Sequence, residues 1–118
     1  MVRADQTPIQ EIRCLDTEVT KIQLFLLRED LLHPAISGNK WRKLKYNLHE
    51  AKQRGLQTLL TFGGAYSNHI HATAAAGKEF GFNTIGLIRG EAHDPLNPTL
   101  QQVQAWGMQL HYLTRDDY

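Results

Sequence analysis

Cysteine occurs once in the 118 residues, at Cys14, so no disulfide can form within the chain. The first residues lack the apolar stretch of a secretory signal or a membrane helix, and the default setting is therefore reducing and cytoplasmic. An excess of one charge is also missing. Thirteen Lys plus Arg against twelve Asp plus Glu leave a formal +1, which provides no electrostatic footprint for nucleic acid or an anionic membrane surface. Repeats and low-complexity tracts are absent, as are the Lys-Ser/Thr ending of a P-loop and the third glycine of a dinucleotide fingerprint. Cys14 itself sits in an apolar stretch with no His or Lys beside it, which favours a small buried hydrophobe over a reactive thiol. A hydrophobic fraction of 42% with 21% charged residues fits a globular chain with one core.

Three short apolar runs, Thr58 to Phe62, Thr84 to Ile88 and Met108 to Leu113, alternate with helical patterns. That is the rhythm of βαβ units feeding a parallel sheet, and near-continuous apolarity suits strands covered on both faces. The intervening helices are expected over Ser67 to Phe80, closed by Gly81, and Pro98 to Trp106, closed by Gly107. Upstream, Trp41, Leu44, Leu48 and Ala51 recur at helical spacing, predicting a helix from about Lys40 to Arg54 with Asn39 as its N-cap. Pro8 to Ile12 and Ile22 to Leu27 are strand-like. After Leu113 only Thr114 to Tyr118 remain, an abrupt end for an α/β sheet, which suggests a truncated chain; a complete small domain with a short tail is the alternative.

Two segments carry chemistry. In Ser37-Gly38-Asn39-Lys40-Trp41-Arg42-Lys43-Leu44, Lys40 falls in the first turn of a helix, where the macrodipole favours a neutral amine. Arg42 and Lys43 add positive field that would attract an anionic phosphate. A fixed amine of this kind can condense with a carbonyl, although basic residues on solvated helix faces are common. In Gly63-Gly64-Ala65-Tyr66-Ser67-Asn68-His69, a glycine turn at the carboxyl end of a strand opens a helix, with free N–H groups near Ser67, Asn68 and His69 suited to a carboxylate or phosphate. The plain alternative is a strand-to-helix turn capped by Ser67 or Asn68. His69 and His71 lie two apart on a helix, point to different faces and have no cysteine or carboxylate cluster beside them, so no metal site is expected.

From about Leu27 to Leu113 the chain resembles the pyridoxal-phosphate-dependent aminocyclopropane-carboxylate deaminase and D-cysteine desulfhydrase family, and specifically its N-terminal portion. The resemblance rests on Gly38-Asn39-Lys40-x-Arg42-Lys43-Leu44 and on Gly63-Gly64-x-x-Ser67-Asn68. It implies the type II fold of such enzymes: a three-layer α/β arrangement of a parallel sheet with flanking helices, here incomplete. Lys40 then inherits the Schiff-base role and, with Asn68 and Lys43, cofactor binding. Ser67 contacts substrate and shuttles a proton, Asn68 hydrogen-bonds the 3′-oxygen of the pyridoxal ring, and Ser67, Asn68 and His69 bind the amino-acid substrate. The sequence departs from the family at Ser37, where glycine is frequent, at Trp41, where threonine is frequent, and at His69, where deaminases often carry glutamine. Trp41 reads equally well as an apolar contact on the buried helix stripe.

The resulting expectation is a pyridoxal 5′-phosphate enzyme that deaminates or eliminates from a small amino acid. Residues 1–39 would belong to a larger cofactor domain and residues 40–118 to a smaller α/β domain. Neither nucleic acid nor membrane is expected as a partner, and the full-length protein is expected to be a homodimer. The 118 residues alone should show little turnover. A non-catalytic anion-binding module, or a member of the same fold without activity, are the rival readings.

Overall fold

The computed structural model describes residues 7–36, 38–92 and 94–118. Ser37, one of the departures noted above, lies outside them. Strand β1 (Ile9–Ile12) pairs antiparallel with β2 (Leu24–Leu27), with Ile9 opposite Leu27, and a short helix α1 (Leu15–Thr20) joins them. A 3-10 turn at Glu29–Leu31 leads through a loop into α2 (Asn39–Gln53). The rest is β3 (Thr58–Gly64), α3 (Asn68–Phe80), β4 (Asn83–Arg89), α4 (Pro98–Ala105) and β5 (Met108–Leu113), with a parallel sheet in the order β3-β4-β5. The expected α/β class, with a parallel sheet and flanking helices, is present.

The periodicity of the sheet decides where the core sits. Alternate residues point to opposite faces, so Thr61, Thr84, Gly86, Ile88 and Met108 lie on one face, all of them buried. Against this face the alanine-rich α3 packs closely, with Ile70 and Ala74 joining Ile88, Leu100, Val103 and Met108 in one cluster. A second cluster joins Leu44 and Leu48 of α2 to Ala72, Ala75 and Ala76 of α3, and Ile36 from the preceding loop is fully buried in it. Each buried Leu or Ile contributes roughly 2 kcal/mol. Gly81 ends α3 in the left-handed conformation.

Four features differ from expectation. Leu60 and Phe62, on the other face of β3, are about half exposed, so among the described residues the second face lacks the helical cover that the apolar runs implied. Asn39 is not the N-cap of α2: Gly38 takes that place at φ 60, ψ −144, and Asn39 is the first helical residue. Cys14 is exposed rather than buried, because it precedes α1, a helix with no buried residue. That helix itself has no counterpart in the sequence reading.

Candidate functional site

Gly38 adopts a positive φ that residues with a Cβ rarely hold, and this turn aims the start of α2 at the start of α3. The turn is anchored from behind. The Gly38 amide donates to the Glu29 carbonyl at 2.8 Å, and Arg42 Nε donates to the Glu29 carboxylate at 2.7 Å. Arg42 is thus paired within the protein, which removes much of its expected free positive field. Lys40 is half-buried, and its Nζ donates to Asn39 Oδ1 at 2.6 Å, the interaction that replaces the expected cap.

On the opposing element, β3 runs into Gly63 and Gly64 and the chain turns at Ser67. Ser67 is the N-cap of α3: its Oγ accepts from the His69 amide at 3.2 Å and the Ile70 amide at 3.3 Å. Of the three N–H groups expected to await an anion, that of His69 is therefore satisfied by the serine, and that of Ser67 donates to the Gly64 carbonyl at 3.0 Å. A Cβ added at Gly63 would lie 2.7 Å from Ser67 Oγ and 2.6 Å from Ile70 Cγ1, so the glycine is what lets this cap seat against the strand end.

The two turns meet. One cavity of about 390 Å³ is lined by Pro34, Ala35, Gly38, Asn39, Lys40, Asn68 and His71. The structure thus brings Lys40 and Asn68 to one wall-to-wall space, while Ser67, adjacent to Asn68, contributes the cap that orients the helix start. Lys43 is exposed. His69 is half-buried and lines a different cavity with Leu44, Leu48 and Thr73. Burial, then the positive charges of Lys40, then Lys43, hold the His69 imidazole below its ordinary pKa, which places it within electrostatic reach of both lysines.

His71 is the cavity residue that sequence reasoning missed. Its ring lies edge-on to Trp106 at a centroid distance of 4.7 Å. The signal was available: His71 stands three residues after Asn68, and residues at that spacing share a helix face. Considering the two histidines only as a metal pair hid it. Among the described residues no group of three or more His, Cys, Asp or Glu could hold a metal ion. Trp41 stacks on Phe80 at 5.9 Å, which agrees with the apolar-contact reading.

A parallel α/β sheet whose first crossover helix opens beside a lysine-bearing turn is the arrangement found in pyridoxal-phosphate enzymes of the type II fold. Comparison with known proteins narrows this class. Over 86 residues the chain is 38% identical to a Pyrococcus abyssi protein that bears the provisional name 1-aminocyclopropane-1-carboxylate deaminase, a match covering 73% of this chain and 26% of that protein. It is 32% identical over 82 residues to D-cysteine desulfhydrase of Yersinia pestis, covering 70% of this chain and 24% of that one. A crystal structure of an ACC deaminase homologue superposes with a TM-score of 0.74 at 30% identity, over 91% of this chain and 32% of the other. A hydrogen sulfide-producing enzyme from Fusobacterium nucleatum, at 15% identity and TM-score 0.63, shares the fold. No family model matches the chain. The chain spans about a quarter of the length of the curated relatives it matches, and over that stretch it is a homologue of the aminocyclopropane-carboxylate deaminase and D-cysteine desulfhydrase family. No helix among the described residues is long and apolar enough to cross a membrane.

Proposed function

We propose that these residues form the lysine-bearing part of a pyridoxal 5′-phosphate enzyme that deaminates or eliminates from a small amino acid, D-cysteine or 1-aminocyclopropane-1-carboxylate being the leading candidates. The observation that carries the reading is the shared cavity, which Lys40 and Asn68 line together between two turns. The donor set suits the cofactor: the primary amine of the half-buried Lys40 for its aldehyde, the side-chain amide of Asn68 for its ring oxygen, and the His71 imidazole at the wall. When bound, pyridoxal phosphate supplies an electron sink for charge developing at the substrate's α-carbon.

The protein's own groups would divide the remaining work. Lys40 would hold the cofactor through Nζ and, when its amine is free, would carry a proton to or from the substrate. Asn39, which accepts from that amine at 2.6 Å, orients it. Asn68 positions the ring, and Ser67 keeps its hydroxyl proton available while its oxygen caps α3, so it can contact the substrate carboxylate and relay a proton. Lys43 would add positive potential toward the phosphate, whereas the substrate contact expected of His69 would need that side chain to leave the neighbouring cavity it lines. The deamination consumes one water and releases ammonia and a 2-oxo acid, with sulfide released as well from D-cysteine. The same reading has the intact protein working in the cytoplasm as a homodimer.

The test uses the intact protein. Borohydride reduction in the presence of pyridoxal phosphate should leave a stable pyridoxyl group on the peptide containing Lys40, and Lys40→Ala should abolish both that label and turnover of a panel of D- and L-amino acids. A label on another lysine, or none, refutes the assignment.

A further inference from the structure

The loop that carries Pro34 and Ala35 into the cavity wall is fastened in part by the His33 side chain. His33 Nδ1 accepts from the Ala35 amide at 3.1 Å and from the Ile36 amide at 3.0 Å. Its Nε2 lies 2.8 Å from the Glu79 carboxylate, on α3 two turns beyond His71, and both side chains are largely shielded from water, at 18% and 25% exposure. A ring nitrogen that receives two N–H groups bears no proton of its own, so the ring proton sits on Nε2 and is donated to Glu79. An imidazolium, protonated on both nitrogens, would forfeit both amide bonds. The residues on either side show what the clamp controls. Ile36 is fully buried between α2 and α3, Pro34 and Ala35 line the cavity, and Gly38 begins the lysine turn.

We propose that His33, held as the neutral Nε2–H tautomer between Glu79 and two backbone amides, is a positioning residue that fixes the loop wall of the Lys40 cavity against α3. It touches neither cofactor nor substrate and acts through the loop. The mechanical claim stands on the hydrogen bonds alone; its consequence for cofactor capture rests on the proposed function. Neither residue belongs to the segments that carry the family resemblance, and the sequence reading assigned them no role.

Three measurements on the intact protein test it. In a long-range ¹H–¹⁵N spectrum at neutral pH, His33 should show the Nε2–H tautomer; an Nδ1–H tautomer or an imidazolium overturns the proposal, and because the protein is unmutated no folding defect can intervene. His33→Leu should speed amide exchange across residues 33–39 about tenfold, the equivalent of one to two neutral hydrogen bonds, and raise the pyridoxal phosphate concentration needed for half-maximal borohydride trapping at Lys40 by a similar factor. His33→Asn, whose Oδ1 can stand in for Nδ1, should restore amide protection and most of the trapping, and Glu79→Gln, which keeps a carbonyl acceptor for Nε2–H, should resemble the parent. Unchanged exchange in His33→Leu, or failure of His33→Asn to recover protection, overturns the clamp. If the parent protein takes no cofactor at Lys40, the proposed function falls, while the tautomer and exchange results still decide the clamp.

Discussion

At the scale of single residues, His69 reports on its own burial and on the two lysines near it. Its pKa is lowered by desolvation first, then by Lys40 and Lys43. A base whose folded pKa lies below its unfolded value binds fewer protons when folded, so its stability contribution is present above the ordinary 6.5 and is lost as pH falls through the lowered folded value. A histidine NMR titration should therefore place His69 below 6.5, and Lys43→Met should move it upward by relieving one of the two charges. His69→Gln should flatten the acid-side slope of unfolding stability. Titration of His69 at or above 6.5 would mean that the imidazole is not held half-buried beside the two lysines.

At the scale of elements, the junction of β3 with α3 determines how the site is presented. Gly63 has Ser67 and Ile70 pressed against it, whereas a Cβ at Gly64 would meet nothing within 4 Å. Gly63→Ala should thus displace the helix start and cost about 1–3 kcal/mol, as overpacking of a tight contact does. Gly64→Ala should be close to neutral in the same denaturant titration of the intact protein, and equal effects would show that the junction is looser than its geometry. The same element shows why parts of the fold were legible and others not. The apolar runs and the small-residue stripe Ala72 to Gly77 have strong periodicity, and β3, α3, β4, α4 and β5 all lie where that periodicity puts them. Helix α1 lacks any buried face, so no apolar stripe announces it. The cap of α2 was misplaced because Asn39 has the chemistry of a cap, while the positive φ of Gly38, which decides the matter, follows from the turn's path through space. Lys40 and Asn68 could be nominated from the two motifs, but their shared cavity depends on the His33 loop, whose contact with α3 spans more than forty residues of chain and has no local signature.

At the scale of the whole molecule, burial is one-sided. The radius of gyration is 17.8 Å, against about 13–14 Å expected for a compact domain of this length. The β1–β2 hairpin accounts for part of this, since every residue of β2 is exposed. The parallel sheet adds open apolar area of its own: Leu60 is 55% and Phe62 50% exposed, even with Tyr118 resting edge-on against Phe62 at 6.0 Å. Apolar side chains clustered on one open sheet face favour association in water. The 118 residues produced alone should accordingly bind the dye ANS and sediment as associated species, and the double substitution Leu60→Lys with Phe62→Lys should return them to monomers. In the intact protein the outcome should reverse. If further polypeptide covers this face there, the same double substitution buries two ammonium groups and removes about 2 kcal/mol of apolar burial per site, so it should lower the unfolding midpoint sharply. A double variant that leaves the intact protein's midpoint unchanged would show that the face stays in water, and would remove the reason for expecting a second layer on this sheet.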